Sequence, residues 1–398
     1  MADTVEWSPA EALQNAMASA YRRSGRPGIV QIDITYRCDL NCVHCVLDNR
    51  TTWPEMTTAE WLDVFAQLAE LGVWRINFSG GEAFLRPDMV ELLDRARKMG
   101  FRLGVRSHFG NIDAELAQKL RALNLTHLRT TVYSLDPAIH DAFTRRPGSL
   151  VATLAGVEHL RVAGVPVVVD CVLQGNTIEE IPAIHQYFAS RKCTINFGTN
   201  IYRDHMGSTD LDLMDLTASE RVRARQLIWT VVKDDTDIHS TVKDAVDQPP
   251  CGAGRTQFYI SPDGSVWPCV MFPMQIGHLR EHRLVDIWEN SPERRQLVAF
   301  TNRDRGECQS CSGSDVCFYC PGEAYKHSGD FRKAPDHFHS RTRDHMRGLE
   351  LARGPRYSEQ EWASVPDPVR PKRDRPGKFV FPIYRPQKGR GTRVGEVR

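Results

Sequence analysis

Two apolar rhythms alternate along most of this chain. The run Ile29-Val-Gln-Ile-Asp-Ile-Thr-Tyr36 is rich in β-branched residues, sits between Gly28 and a cysteine-rich loop, and predicts a strand. Over 57–71 the spacing becomes helical, with Trp61, Val64, Phe65 and Leu68 on one stripe. The alternation then repeats. Strands are expected at 73–78, 101–105, 128–135, 165–173 and 194–197, and helices at 87–99, 113–123, 150–163, 178–190 and 217–232. About six strand–helix units favour a parallel sheet with helical crossovers, so the fold class is α/β, a partial (β/α)6 TIM-like barrel. Right-handed crossovers put the helices outside and bring the strand C-termini to one face, where barrel enzymes build their sites.

The flanks read differently. Residues 8–22 predict a short helix, with Ser8 as N-cap, Pro9 in the first turn and a packing stripe of Leu13, Met17 and Tyr21. After a polar stretch, 233–247, residues 258–267 predict a β-hairpin turning at Pro262-Asp263-Gly264, and 284–297 a helix. Past Gly354, Pro, Arg and Lys accumulate around an apolar island at 379–384, a weakly structured tail or docking arm. The expected partition is an extension 1–28, a barrel 29–235, a linker 236–250, a cysteine-rich domain 251–345 and a basic tail 346–398.

Composition excludes some partners. With 41% hydrophobic and 25% charged residues the chain is an ordinary globular enzyme, and a net charge of +1 offers no general field for nucleic acid. An RNA-modifying role finds its best support in the basic stretch 370–398, and the core lacks a basic stripe with aromatics. No apolar run approaches the ~20 residues of a membrane span, and the N-terminus lacks the regions of a signal peptide. A cytoplasmic protein is expected, so its eleven cysteines read as metal ligands rather than disulfides.

Cys38-x3-Cys42-x2-Cys45 follows the first strand, and Gly80-Gly81-Glu82 follows the second, so both lie on the functional face. Three thiolates leave a coordination position open, whereas structural zinc is closed by four ligands. An iron–sulfur cluster with one free iron fits better. A later set, Cys251, Cys269 and Cys308-x2-Cys311-x5-Cys317-x2-Cys320, reads as further clusters or a pair of zinc sites. Cys171 and Cys193 fall in or beside strands and read as core residues.

These motifs, in this order, resemble the radical S-adenosylmethionine (SAM) superfamily with a C-terminal SPASM domain, over about residues 29–340. Within it the chain looks similar to the mycofactocin and pyrroloquinoline-quinone maturases. His44, before the last loop cysteine, is shared with haem-modifying relatives. The resemblance implies a SAM-cleaving [4Fe–4S] cluster on Cys38, Cys42 and Cys45. It implies SAM contacts from Gly80, Gly81 and Glu82, from Ser134, and from Arg145 or Arg146. The glycines would let backbone approach the ligand, and Glu82 would accept from its ammonium. One or two auxiliary [4Fe–4S] clusters are implied, the first on Cys251, Cys269 and Cys320, the second on Cys308, Cys311 and Cys317. Three departures stand out: Ala83 replaces a usual proline, Gln257 and Phe258 stand where the first auxiliary set has a further cysteine, and the second auxiliary set lacks its last cysteine. In Pro335-Asp-His-Phe-His339, His339 occupies that place, with His337 or Asp336 as alternatives.

The implied activity is that of a radical SAM oxidoreductase or peptide-modifying enzyme. It would generate a 5′-deoxyadenosyl radical and remove a hydrogen atom during maturation of a ribosomal peptide, through a crosslink, a decarboxylation or a dehydrogenation. The alternative is a dehydrogenase, epimerase or decarboxylase acting on an aminoglycoside, a sugar or a tetrapyrrole. A non-catalytic metal scaffold leaves Gly80-Gly81-Glu82 unexplained. Arg106, His108, Asp170, Tyr202, Arg203 and His205 are candidate substrate contacts. A flavodoxin or ferredoxin would supply electrons. Because only 28 residues precede the first strand, a separate leader-binding protein is expected for a peptide substrate.

Overall fold

In a computed structural model of the chain, residues 20–21, 24–47, 54–202, 214–232 and 246–365 are described. Most of the helix expected over 8–22, Arg203, His205, most of the linker and the stretch 370–398 lie outside them. Six strands, β1 (Ile29–Asp33), β2 (Arg75–Ser79), β3 (Arg102–Arg106), β4 (His127–Val132), β5 (Val167–Val172) and β6 (Thr194–Gly198), pair in parallel in that order. They are joined through α1 (Thr58–Leu71), α2 (Met89–Lys98), α3 (Ala114–Ala122), α4 (Pro137–Thr144) with α5 (Ser149–Ala163), and α6 (Ile181–Ala189); α7 (Ala218–Val232) follows β6. The partial (β/α)6 barrel is present. Among the described residues no helix is long and apolar enough to cross a membrane.

Each strand sends alternate residues to opposite faces. On β2, Ile76 and Phe78 are buried while Arg75, Asn77 and Ser79 are half-buried. The buried row, with Val30, Ile32, Leu103, Val105 and Leu128, packs on Trp61, Phe65, Leu68, Leu92 and Leu93 of the helices. Each such side chain removed from water contributes roughly 1.5–3 kcal/mol. α1 is set by a Thr57–Glu60 capping box and ended by Gly72 at φ 86°. The opposite row, facing the lumen, is polar.

Three features depart from the sequence expectation. The hairpin strands β7 (Gln257–Ile260) and β8 (Ser265–Trp267) are not confined to the cysteine-rich region. β7 pairs in parallel with β1, and β8 and β9 (Gly277–His278) continue antiparallel, giving one nine-stranded sheet. The helix expected over 284–297 is two, α8 (Leu284–Asn290) and α9 (Pro292–Ala299). Ser291, preceding Pro292, is extended at ψ 121° and caps α9 by accepting from the Arg294 N–H. The domain limit expected at 345 falls inside a long helix, α11 (Asp336–Arg353), preceded by α10 (Pro321–Ser328) and followed by α12 (Glu359–Ser364).

Packing on the last barrel helix carries α11 past that limit. Gly348 lies so close to α7 that a Cβ would meet the Arg225 Cβ at 2.6 Å. A buried charge network joins the two helices. Arg221 and Arg341 both reach Asp215 Oδ2, at 3.1 and 2.9 Å, and Arg221 Nε lies 3.4 Å from Asp344.

Candidate active site

The cysteine loop leaves β1 at the C-terminal face and is fixed from two sides. On one side it runs beside Gly80-Gly81-Glu82: Gly81 N–H donates to Thr35 O and Glu82 N–H to Arg37 O, both at 2.8 Å. A Cβ on Gly80 would lie 2.3 Å from Thr35 O, and one on Gly81 2.4 Å from Arg37 O. The glycines are thus required by the approach of the loop's own backbone, where the sequence suggested ligand approach. On the other side the loop donates from Asn41 N to Thr144 O (3.1 Å) and from Val43 N to Phe143 O (3.0 Å), at the C-terminal end of α4. Thr35 Oγ1 and Tyr36 N–H donate to Glu55 Oε1 at 2.7 and 3.0 Å.

Glu82 is fully buried beneath this loop. Its Oε1 accepts from Phe84 N–H at 3.0 Å and its Oε2 from His108 N–H at 2.9 Å. The Gly110 N–H donates to His108 Nδ1 (3.0 Å), which leaves the His108 proton on Nε2. That proton points at Asp39 Oδ1, 2.7 Å away, with Glu82 Oε2 at 3.2 Å. An ionised carboxylate has about four acceptor positions, so Glu82 retains room for one further donor. Asp39 is also held by Arg146, which reaches its Oδ2 and, at 3.0 Å, its backbone carbonyl. Between the two arginines the geometry chooses Arg146 for the loop. Arg145 ends α4 in the left-handed region at φ 57° and is exposed.

Ser134 is buried, donates to the Glu180 carboxylate at 2.7–2.9 Å and accepts from Asp136 N–H at 2.8 Å. His44 packs between Tyr133 and Phe143, with centroids at 5.2 and 4.9 Å, and burial lowers its pKa to about 4. Asp39, Phe143 and Thr144 escaped the sequence reading. Asp136 followed by Pro137 is an N-cap with proline at N1, the one local signal that could have found α4.

The nine remaining cysteines separate by mutual influence into three groups of three. Cys42 feels Cys45 and Cys38, Cys269 feels Cys320 and Cys251, and Cys311 feels Cys317 and Cys308. Burial pushes five of these thiols up, Cys42 and Cys269 to about 12, Cys38, Cys251 and Cys311 to about 11. Three thiols brought together in this way are readily held as thiolates by a metal, so the donor sets fit iron–sulfur clusters. Around the third group, Cys308, Cys311, Cys317 and His339 line one cavity, walled by Ala334, Phe338 and Val365. His337 is elsewhere: its ring lies 4.2 Å from that of His327, in a group with Glu323. Asp336 begins α11. Cys171 and Cys193 are buried core residues.

Tyr202 sits under Arg341, whose guanidinium carbon is 5.9 Å from the ring, on the Cys320 side of the barrel mouth. Asp33, on the inner barrel face, accepts from Tyr259 Oη at 2.8 Å, and burial pushes its carboxyl up to about 6. The folded state therefore holds this proton more tightly than the unfolded chain. The resulting stabilisation is complete below about pH 4 and lost as pH rises through about 6. Asp33→Asn is expected to raise stability at pH 7.5 by up to about 3 kcal/mol and to flatten the decline between pH 4 and 6. Denaturant midpoints at pH 5 and 7.5 check this, and an equal loss at both would refute it.

The chain matches the radical SAM superfamily over residues 32–188 and the SPASM iron–sulfur cluster-binding domain over 251–312. It is 26% identical over 339 residues to an AdoMet-dependent heme synthase of Methanosarcina barkeri, covering 77% of this chain and 94% of that protein. It is 29% identical over 330 residues to a PqqA peptide cyclase of Xanthomonas axonopodis pv. citri, covering 76% and 85%. In fold it is similar to anSMEcpe with bound AdoMet, at TM-score 0.64 and 14% identity over 82% of this chain and 96% of that one. It is also similar to Streptococcus suis SuiB bound to the precursor peptide SuiA, at TM-score 0.56 and 17% identity over 75% and 74%.

Proposed function

The chain is a radical SAM enzyme with a C-terminal SPASM domain, and from that premise we propose that it acts in the maturation of a ribosomal peptide. The observation that carries the radical chemistry is the three-thiol loop, fixed at the end of β1 against the buried Glu82 carboxylate. With a site-differentiated [4Fe–4S] cluster and SAM bound there, the site supplies reductive SAM cleavage and hydrogen-atom abstraction. Cys38, Cys42 and Cys45 would hold the cluster. Glu82, with its remaining acceptor position, would take the SAM ammonium. His108 and Arg146 hold Asp39, and with it the loop, in register with Glu82. Cys251, Cys269 and Cys320 would hold one auxiliary cluster, and Cys308, Cys311, Cys317 and His339 a second. Imidazole ligation would raise the second cluster's potential.

A peptide substrate is supported by two PqqA peptide cyclases, 29% and 27% identical to this chain. The reaction on it would be a crosslink, a decarboxylation or a dehydrogenation, with a flavodoxin or ferredoxin as reductant and a separate protein presenting the leader. The heme synthase, matched over 94% of its length, favours a second reading in which the substrate is a tetrapyrrole.

Anaerobic reconstitution with iron and sulfide tests the proposal. About 12 irons per chain and reductant-dependent 5′-deoxyadenosine are expected. Bound zinc with no SAM turnover would sink it. His339→Ala should lower the count by up to about four irons or alter the cluster spectrum. Unchanged iron and spectra would remove His339 from the ligand set.

A further inference from the structure

The polar inner wall of the barrel carries a charge imbalance that SAM cleavage does not use. Its row brings together Arg75 from β2, Arg102 and Arg106 from β3, and Arg129 from β4, with Arg106 beside Arg129 in register. Against these four guanidiniums the described strands set two acids, Asp33 and Asp170. Asp33 is the buried, Tyr259-bound group described above. Asp170 is engaged by Arg129 Nη1 at 2.8 and 3.0 Å and by Asn196 Nδ2 at 3.0 Å, leaving Arg106 at the 3.9 Å margin. Arg75 meets neutral groups, Asn77 Oδ1 at 3.2 Å and His127 Nδ1 at 3.5 Å.

Repulsion among these groups is felt throughout the wall. His127 is pushed down to about 4 by burial and then by Arg75, Arg129 and Arg106. Burial, with Arg102 and Arg129 beside it, lowers Arg75. A like-charge cluster on a lumen wall costs stability, and an anion placed among the guanidiniums offsets that cost through charge-assisted hydrogen bonds. Arg106 is well placed for one. Its side chain is 52% exposed, and it lies two residues before His108, which bonds Asp39 beside Cys38.

We infer that the lumen selects its substrate by carboxylate, with Arg106 and Arg129 seating one carboxylate group beneath the cysteine loop. This rests on the radical SAM reading, since it takes the lumen as the substrate chamber. Both substrate readings can supply such a group, as an acidic side chain or C-terminus of a peptide, or as the acid side chains of a tetrapyrrole.

The test uses the full-length reconstituted protein and equilibrium binding in two arms. One compares a tetracarboxylate porphyrin with its tetramethyl ester, the other a short Glu/Ala peptide with its Gln/Ala counterpart. In at least one arm the acid is expected to bind roughly 10- to 100-fold more tightly than its neutral partner, and less tightly as salt is raised. The arm that shows this identifies the source. Arg106→Gln should lose about tenfold in acid affinity while Arg106→Lys retains most of it, each at wild-type iron content. Equal binding of acid and neutral forms in both arms, or an unchanged Arg106→Gln, overturns the inference. Substrate-free formation of 5′-deoxyadenosine by the wild-type protein is scored separately. Its absence would overturn the radical reading while leaving the carboxylate result to stand on binding alone.

Discussion

Cys42→Ala protein, reconstituted with iron and sulfide, is expected to carry about four fewer irons per chain than wild type and to form no 5′-deoxyadenosine from SAM. The loss should be confined to one cluster, because the loop is positioned by backbone bonds that do not involve the thiol. Val43 N–H still reaches Phe143 O, and Gly81 and Glu82 still reach Thr35 and Arg37. With two thiolates left, the loop can no longer leave one iron open while holding the other three, whereas the groups around Cys269 and Cys311 are untouched. Iron analysis separates this from misfolding: a misfolded variant would lose all its iron. SAM cleavage that survives in Cys42→Ala would remove the loop from the chemistry. A companion Glu82→Gln should retain full iron and bind SAM roughly tenfold more weakly, since the amide replaces an acceptor carboxylate and turns a donor toward the bound ammonium.

Arg221→Met is expected to cost about 3–5 kcal/mol of stability. Arg221 is almost wholly buried and donates to Asp215 Oδ2, Thr199 O and Leu216 O, with Asp344 at 3.4 Å. Removing it leaves two buried carboxylates, Asp215 just before α7 and Asp344 on α11, with less compensation than the fold requires. α11, which carries His339, packs on α7 through this contact. The denaturant midpoint should therefore fall, and the spectrum of the second auxiliary cluster should broaden before the whole chain unfolds. A variant as stable as wild type would show that Arg341 alone compensates Asp215.

The cysteine loop, the strand–helix alternation and the Gly80-Gly81-Glu82 segment were legible because each is local. Metal-ligand spacing needs only eight residues, and a burial pattern of period two or 3.6 declares itself within one element. The partnership of the three auxiliary cysteines at 251, 269 and 320 spans seventy residues and came from resemblance. In the structure it follows from the neighbourhood of their thiols. What stayed hidden was pairwise and distant. Nothing in the sequence ties Asp39 to His108, 69 residues away, or Ser134 to Glu180, 46 residues away. Nor could periodicity choose between Arg145 and Arg146, since adjacent residues differ only by where the backbone turns, and the left-handed Arg145 sets that turn.

By itself the sequence determined the chemistry of this protein. Thiol spacing and strand-end glycines require only local geometry, so both are readable without the fold that presents them. The tertiary structure decided where that chemistry is aimed. It inserted β7 beside β1 so that Tyr259 reaches Asp33, and ran α11 along α7 so that His339 lines one cavity with Cys308, Cys311 and Cys317. It also turned four arginines from three strands toward one lumen. Register and helix packing fix such contacts only when the whole sheet closes, because each depends on elements that share no sequence neighbourhood.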